Sequence, residues 1–318
     1  MKKKLLWLLA VIVVAAAIII AGSFYLLDYA LNNADRQHDR TFNRFNYAIR
    51  TYPEVKPWLD SLASTNALRD TFITMPSGER QHAIFVRSNR AKGRTAILIH
   101  GYKDQATGMI QIARIYNKEL GFNILLPDLH AHGESDGNDI RMGWKDRNDI
   151  LHWAKVAEQA FRYISPDRSR MVLHGISMGA ATTMCVSGEN TPDYIKCFVE
   201  DCGYTSVWDE YVHELKGRFH LPPFPLLYTS SFLCDMKYGW SFTEASPVTQ
   251  VAKCHKPMLF IHGSNDDFVP TEMVYPCYNA KPRPKELWIA PGSAHAMSYK
   301  DHKNEYIHRV CNFVNRWL

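Results

Sequence analysis

The chain has 318 residues, 46% of them hydrophobic, 22% charged and 12% aromatic, with 17 glycines and 16 prolines. That composition is globular and excludes disordered, collagenous and coiled-coil chains. Lysine and arginine number 37 against 32 aspartates and glutamates, but residues 1–50 hold 7 basic and 3 acidic side chains, leaving 30 against 29 for the rest. A body so close to neutral carries no electrostatic footprint for nucleic acid, and no nucleic-acid partner is expected.

Lys2, Lys3 and Lys4 precede an uncharged run from Leu5 to Leu27, which at about 1.5 Å per residue is long enough to cross a hydrocarbon core as a helix. No charged residue interrupts it, which argues against the buried helix of a soluble protein. A cleaved signal is the competing reading, but its apolar region runs to only about 7–15 residues before a small-x-small site, for which Ala21-Gly22-Ser23 is passable. The longer run favours a transmembrane anchor over residues 1–27, the lysines holding the N-terminus in the cytoplasm and the body outside. Cleavage would make the body a secreted protein. Residues 28–67, with Arg36, Arg40, Arg44 and Arg50 among Phe42, Phe45, Tyr47 and Trp58, read as a stalk with short helices. A solvated face is favoured there over contact with anionic headgroups.

Beyond Leu68, candidate strands are Arg69–Met75, Gln81–Arg87, Thr95–His100, Asn123–Pro127, Arg170–Gly175, Cys197–Asp201, Met258–His262 and Glu286–Ala290. Helical patterns lie at Ala106–Leu120, Gly143–Tyr163, Gly179–Ser187, Glu272–Tyr278 and Lys303–Trp317. Continuous apolar runs such as Ala96-Ile97-Leu98-Ile99 fit strands buried on both faces, and their alternation with helices predicts a mostly parallel sheet flanked by helices. Pro76-Ser77-Gly78-Glu79 joins the first two strands as a tight antiparallel edge. Residues 203–251 show no clear strand and many aromatics; a loop of that length predicts a small helical lid at about 204–250. Seven dispersed cysteines without a Cys-x-x-Cys indicate neither a metal site nor a disulfide framework. Cys197 and Cys254, each just before a predicted strand, are conceivable partners in an exported body.

The chemistry is concentrated in Arg170 to Ala181, a strand running through Gly175-Ile176-Ser177-Met178-Gly179 into a helix. The glycines permit a strained turn that holds the Ser177 oxygen out at the top of the sheet. A serine hydroxyl attacks only when a base takes its proton and a third group orients that base. Asp266, just past a buried strand in His262-Gly263-Ser264-Asn265-Asp266, is the candidate acid, with Asp267 and Asp201 as alternatives. His295, in the loop after the last strand, is the candidate base, with His302 as its rival. His38, His82, His152, His213, His220, His255 and His308 have no motif around them. Backbone N–H groups of Tyr102 and Met178 are the expected oxyanion donors. The run Leu129-His130-Ala131-His132-Gly133 reads as a loop bracing the site rather than a metal site, because no spaced carboxylate set accompanies it. No nucleotide or zinc motif occurs, and no cofactor is expected.

These pieces, in order His100-Gly101-Tyr102, Asp128 to Gly137, Gly175 to Gly179, His262 to Pro270 and His295, resemble the α/β-hydrolase superfamily, specifically its serine aminopeptidase-like or monoacylglycerol-lipase-like branch. The resemblance covers roughly Leu68 to Leu318 and implies an eight-stranded α/β-hydrolase domain over 68–318. It also implies an acyl-serine intermediate on Ser177, hydrolysed by water that His295 activates. The arginine usual before Gly-His-Gly in the bracing loop is absent here. Substrate choice rests on the lid, where Phe224, Leu227, Tyr228 and Phe232 line an apolar acyl cleft or else form the lid's own core. An apolar lid beside a membrane favours small, lipid-like or hydrophobic esters. A peptidase would need a buried acid for the substrate amine; Glu210 and Glu214 are candidates, though surface charge explains them better. A membrane-tethered binding protein without turnover is the third reading, and the intact Ser177, Asp266 and His295 set weighs against it.

Overall fold

The computed structural model describes residues 2–34, 42–164 and 167–318. The chain divides into two compact units, one formed by residues up to Asn32 with Ser206–Ser246, the other by Asn33–Thr205 with Pro247–Leu318. Helix α1 (Lys2–Leu31) continues four residues past the expected Leu27. Its apolar window has a mean hydropathy of 3.0 and no buried share, so it is an N-terminal helix long and apolar enough to cross a membrane. Arg36, Arg40 and His38 lie outside the described residues. Helices α2 (Asn46–Thr51) and α3 (Lys56–Ser64) follow. Arg44, expected on a solvated face, is instead held by Asp70 through bonds of 2.8 and 3.1 Å.

Strands β1 (Leu68–Thr74) and β2 (Arg80–Val86) form the expected antiparallel edge. After them come β3 (Arg94–Ile99), α4 (Ile110–Arg114), β4 (Asn123–Pro127), α5 (Asp146–Ile164), β5 (Arg170–Ile176), α6 (Met178–Ser187) and β6 (Ile195–Asp201). Helices α7 (Val207–Phe219), α8 (Leu226–Tyr238) and α9 (Pro247–Val251) fill the interval without strands. Then β7 (Met258–Gly263), α10 (Val274–Ala280), β8 (Lys285–Ala290), α11 (Ser298–Asp301) and α12 (Lys303–Trp317) complete the chain. The eight strands lie in the order β1-β2-β4-β3-β5-β6-β7-β8, with only β2 antiparallel to its neighbours.

Side chains alternate across the sheet. On one face Ile84, Leu98, Ile124, Val172 and Val199 join Trp58, Ile112, Val310 and Phe313 in one core. On the other, Phe85 meets Trp153 and Phe161 of α5, and Phe260 meets Tyr278 of α10. Two helices differ from expectation. The stretch 106–120 is a 3-10 turn (Ala106–Met109), α4 and a π turn (Ile115–Glu119). The helix expected from Gly143 begins at Asp146, because Met142 and Gly143 have φ of +48° and +75° and Gly143 N–H donates to the Asp146 carboxylate at 2.9 Å.

All seven cysteines are free, which corrects the Cys197–Cys254 pairing. Cys197 packs in the core with α12, whereas the Cys254 thiol donates to Lys256 O at 3.5 Å and has Ser187 of α6 beside it. The two therefore serve opposite layers of the sheet.

Candidate active site

In parallel sheets whose order reverses, connections leave adjacent strands to opposite sides and open a crevice at their carboxyl ends. Here the reversal falls at β3 and β5. Ser177 follows β5 with φ +59° and ψ −121°, a conformation that costs about 1–3 kcal/mol unless its surroundings enforce it. Enforcement is visible at two glycines. A Cβ on Gly175 would sit 1.9 Å from Gly179 O, and one on Gly179 would sit 2.0 Å from Ile99 O. Only glycine lets β5, α6 and β3 approach so closely. The Ser177 N–H extends the sheet ladder by donating to Asp201 O at 2.9 Å.

Ser177, His295 and Asp266, from the ends of β5, β8 and β7, are brought together. His295 Nε2 lies 2.8 Å from Ser177 Oγ, and its Nδ1 lies 2.8 Å from Asp266 Oδ2. An ionised carboxylate only accepts, so Nδ1 carries the proton and Nε2 is left to accept from the serine hydroxyl. The other Asp266 oxygen accepts from Phe268 N at 3.1 Å and Val269 N at 2.9 Å. Burial alone would raise the Asp266 pKa, but hydrogen bonds from His262 and His295 outweigh it and hold the carboxyl at about 2. Gly101, at the end of β3, faces the nucleophile, its would-be Cβ 3.4 Å from Ser177 Cβ, and Tyr102 is the next residue. Met178 opens α6, where a first-turn N–H has no intrahelical acceptor.

The rivals lie elsewhere. Asp201 accepts from Tyr306 OH at 2.9 Å and Ser298 Oγ at 3.4 Å. Asp267 is exposed, and His302 contacts Pro291 O at 2.7 Å. His174 lies between Tyr116 OH and Tyr306 OH, each at 3.0 Å, and burial lowers its pKa to about 3. A neutral ring accepts from one tyrosine and donates to the other, so hydrogen bonding continues through Tyr306 to Asp201.

The loop after β4 braces the end of β3. Leu129 N–H donates to His100 Nε2 at 3.0 Å and Lys103 N–H to His132 Nε2 at 3.2 Å. Asp128 accepts from Ala106 N at 2.7 Å, Glu134 N at 2.9 Å and His82 at 2.6 Å. A Cβ on Gly133, which has φ +47°, would strike that carboxylate.

Sequence reasoning missed His262, whose Nε2 lies 2.9 Å from Val269 O and 3.3 Å from Asp266 Oδ2. Its four-residue spacing to Asp266 was the available signal. Of the four residues considered for an acyl cleft, Leu227 is buried while Phe224, Tyr228 and Phe232 are exposed. Glu214 pairs with Arg218, but Glu210, read as surface charge, is buried.

Comparison with known proteins gives the chain its place. A profile of the prolyl oligopeptidase family matches residues 116–318. The chain belongs to the prolyl oligopeptidase family. That membership makes it a serine hydrolase, and the eight-stranded sheet is that of an α/β-hydrolase. The Pyrococcus furiosus esterase Pf2001 superposes with a TM-score of 0.63 at 24% identity, over 79% of this chain and 92% of that one. An acylaminoacyl peptidase in complex with a chloromethyl ketone gives 0.58 at 18%, over 79% and 41%. By sequence, the Bacillus subtilis protein YqkD is 28% identical over 70% of this chain and 71% of its own. The α/β-hydrolase domain-containing protein WAV2 of Arabidopsis thaliana is 24% identical over 63% and 62%.

One buried acid of the family member's central sheet yields a pH test. Glu200 on β6 accepts from Gly203 N at 3.0 Å with one oxygen, while the other lacks a partner among the described residues. Burial raises its pKa to about 8 from an ordinary 4.5. Across that window the folded state keeps a proton that the unfolded state has released, so stability falls as pH rises. Glu200→Gln keeps the acceptor and removes the dependence. Thermal melts from pH 5 to 8 should show the variant more stable at pH 8 by on the order of 2 kcal/mol, the difference closing toward pH 5.

Proposed function

We propose that the protein hydrolyses carboxylic esters with a hydrophobic acyl group through an acyl-serine intermediate. The observation that carries this reading is the unbroken hydrogen-bond chain from Ser177 through His295 to Asp266. Ser177 Oγ gives its proton to His295 Nε2 and attacks the substrate carbonyl, while Asp266 fixes the tautomer and stabilises the imidazolium. The N–H groups of Tyr102 and Met178 receive the oxyanion. His295 then protonates the departing alcohol. In the second half, His295 takes a proton from water, which adds to the acyl carbonyl. Collapse releases the acid and returns the proton to Ser177.

Ester preference is supported by the likeness to the Pyrococcus esterase over nearly its whole length, and a hydrophobic acyl group by the apolar helix α1. A peptidase reading is favoured by the family itself and by the acylaminoacyl peptidase likeness. The full chain in detergent would be assayed on p-nitrophenyl esters of increasing acyl length and on aminoacyl p-nitroanilides. The proposal expects ester kcat/KM to exceed that for anilides by about 100-fold or more, with an optimum beyond the shortest acyl groups. Faster anilide cleavage would assign a peptidase.

The acid is tested separately. Asp266→Asn should lower kcat by about 10³–10⁴-fold through loss of the productive tautomer. Asp201→Asn, whose Tyr306 bond an amide oxygen still accepts, should stay within about tenfold of the parent.

A further inference from the structure

Within its own compact unit, α1 is joined to the helices that follow β6. Ser23 Oγ donates to Leu226 O at 3.2 Å, Ser230 Oγ donates to Ser23 O at 3.3 Å, and the rings of Tyr29 and Phe219 meet edge to face at 5.6 Å. A Cβ on Gly22 would touch Leu226 Cδ2 at 3.2 Å, so small residues bring α1 against the start of α8. Ser23, Leu27 and Leu31 are buried, while the apolar side chains from Leu5 to Ile18 are mostly exposed. The end of α1 is therefore packed within its own unit.

A helix starting at about Leu5 has risen roughly 27–30 Å by Ser23 and Phe24, one hydrocarbon thickness. Phe24, Tyr25 and Tyr29, all exposed, stand where an interfacial aromatic belt forms. The contact between Ser23 and Leu226 puts the first turn of α8 at that same level. From Leu221 to Cys234 the chain carries no charge, and Asp235 and Lys237 come only at the far end of α8. Tyr228, Phe232 and Met236 recur every fourth residue of α8, hence on one helical face, and the ring of Phe224, in the turn before α8, meets that of Tyr228 edge to face at 5.8 Å; the four are 72% (Phe224), 56%, 62% and 70% exposed. An apolar stripe of that size left in water normally marks an interaction surface.

We propose that this stripe docks into the interfacial layer of the lipid bilayer that α1 enters, so that α1 and the inserted helices form one membrane-bound module. The occupant is lipid because the stripe begins beside the residues of α1 that reach the interface. This inference rests on α1 being a retained anchor, and it assigns Phe224, Tyr228 and Phe232 to lipid rather than to an acyl cleft.

The test is photocrosslinking of the full chain in phosphatidylcholine vesicles, with p-benzoylphenylalanine replacing, one at a time, Phe224, Phe232, Ile12 within α1 and the exposed Tyr275 of α10. Lipid adducts are read by mass, independently of hydrolysis. The expected result is about tenfold more adduct at positions 224 and 232 than at 275, as for side chains seated in the interface, together with adduct at 12. Adduct at 12 with only the level of 275 at 224 and 232 overturns the docking surface and leaves the anchor standing. No adduct at 12 overturns both, while the hydrolase assay stands or falls by itself.

Discussion

Replacing Ser177 by alanine is expected to lower ester turnover by roughly 10⁴–10⁶-fold, leaving what binding and the oxyanion donors supply. The fold should survive, because Ser177 holds its place through main-chain contacts: its N–H donates to Asp201 O and its carbonyl accepts from Ala181 N. His295→Ala should fall as far, and the double variant scarcely further, since nucleophile and base act as one unit. Steady-state kinetics beside circular dichroism would check this. Full turnover in Ser177→Ala with an intact spectrum would place the chemistry elsewhere.

The largest expected effect on stability comes from one added methyl group. In Gly179→Ala the new Cβ would lie 2.0 Å from Ile99 O and 2.6 Å from His100 O. These are backbone atoms of the central sheet and its outgoing loop, which no rotamer change relieves. The first turn of α6 must withdraw from β3, at a cost of about 3 kcal/mol or more, and Ser177 and the Met178 N–H move with it. Gly217→Ala is the control, because nothing lies within 4 Å of that site. Within α7 it should be neutral or stabilise by up to about 1 kcal/mol. Urea denaturation of the two variants should therefore move in opposite directions or leave Gly217→Ala unmoved.

Much of this fold was legible because the inner strands β3, β4, β5 and β7 carry continuous apolar runs with glycine or proline at or just past their ends, and all eight strands are found within two residues of their expected bounds. Ser177, Asp266 and His295 were legible because each follows such a strand, and topology carries strand ends together. What remained hidden depends on contacts distant in sequence. The ring of His174 reaches Tyr306 across the fold, and no spacing announces that. The break of 106–120 into three kinds of turn leaves no mark in an apolar pattern that suits any of them. On α8, Leu227 and Tyr228 are equally apolar, yet one is buried and the other exposed, because burial depends on what packs alongside. Glu210 misled for the same reason.

The central claim is that Ser177 is a nucleophile activated by His295. The most direct measurement is labelling of the full chain with a fluorophosphonate, followed by peptide mapping of the adduct. The account predicts one adduct, on Ser177, formed far more slowly in His295→Ala. An unlabelled Ser177 in folded protein, or an adduct on another serine, would contradict it.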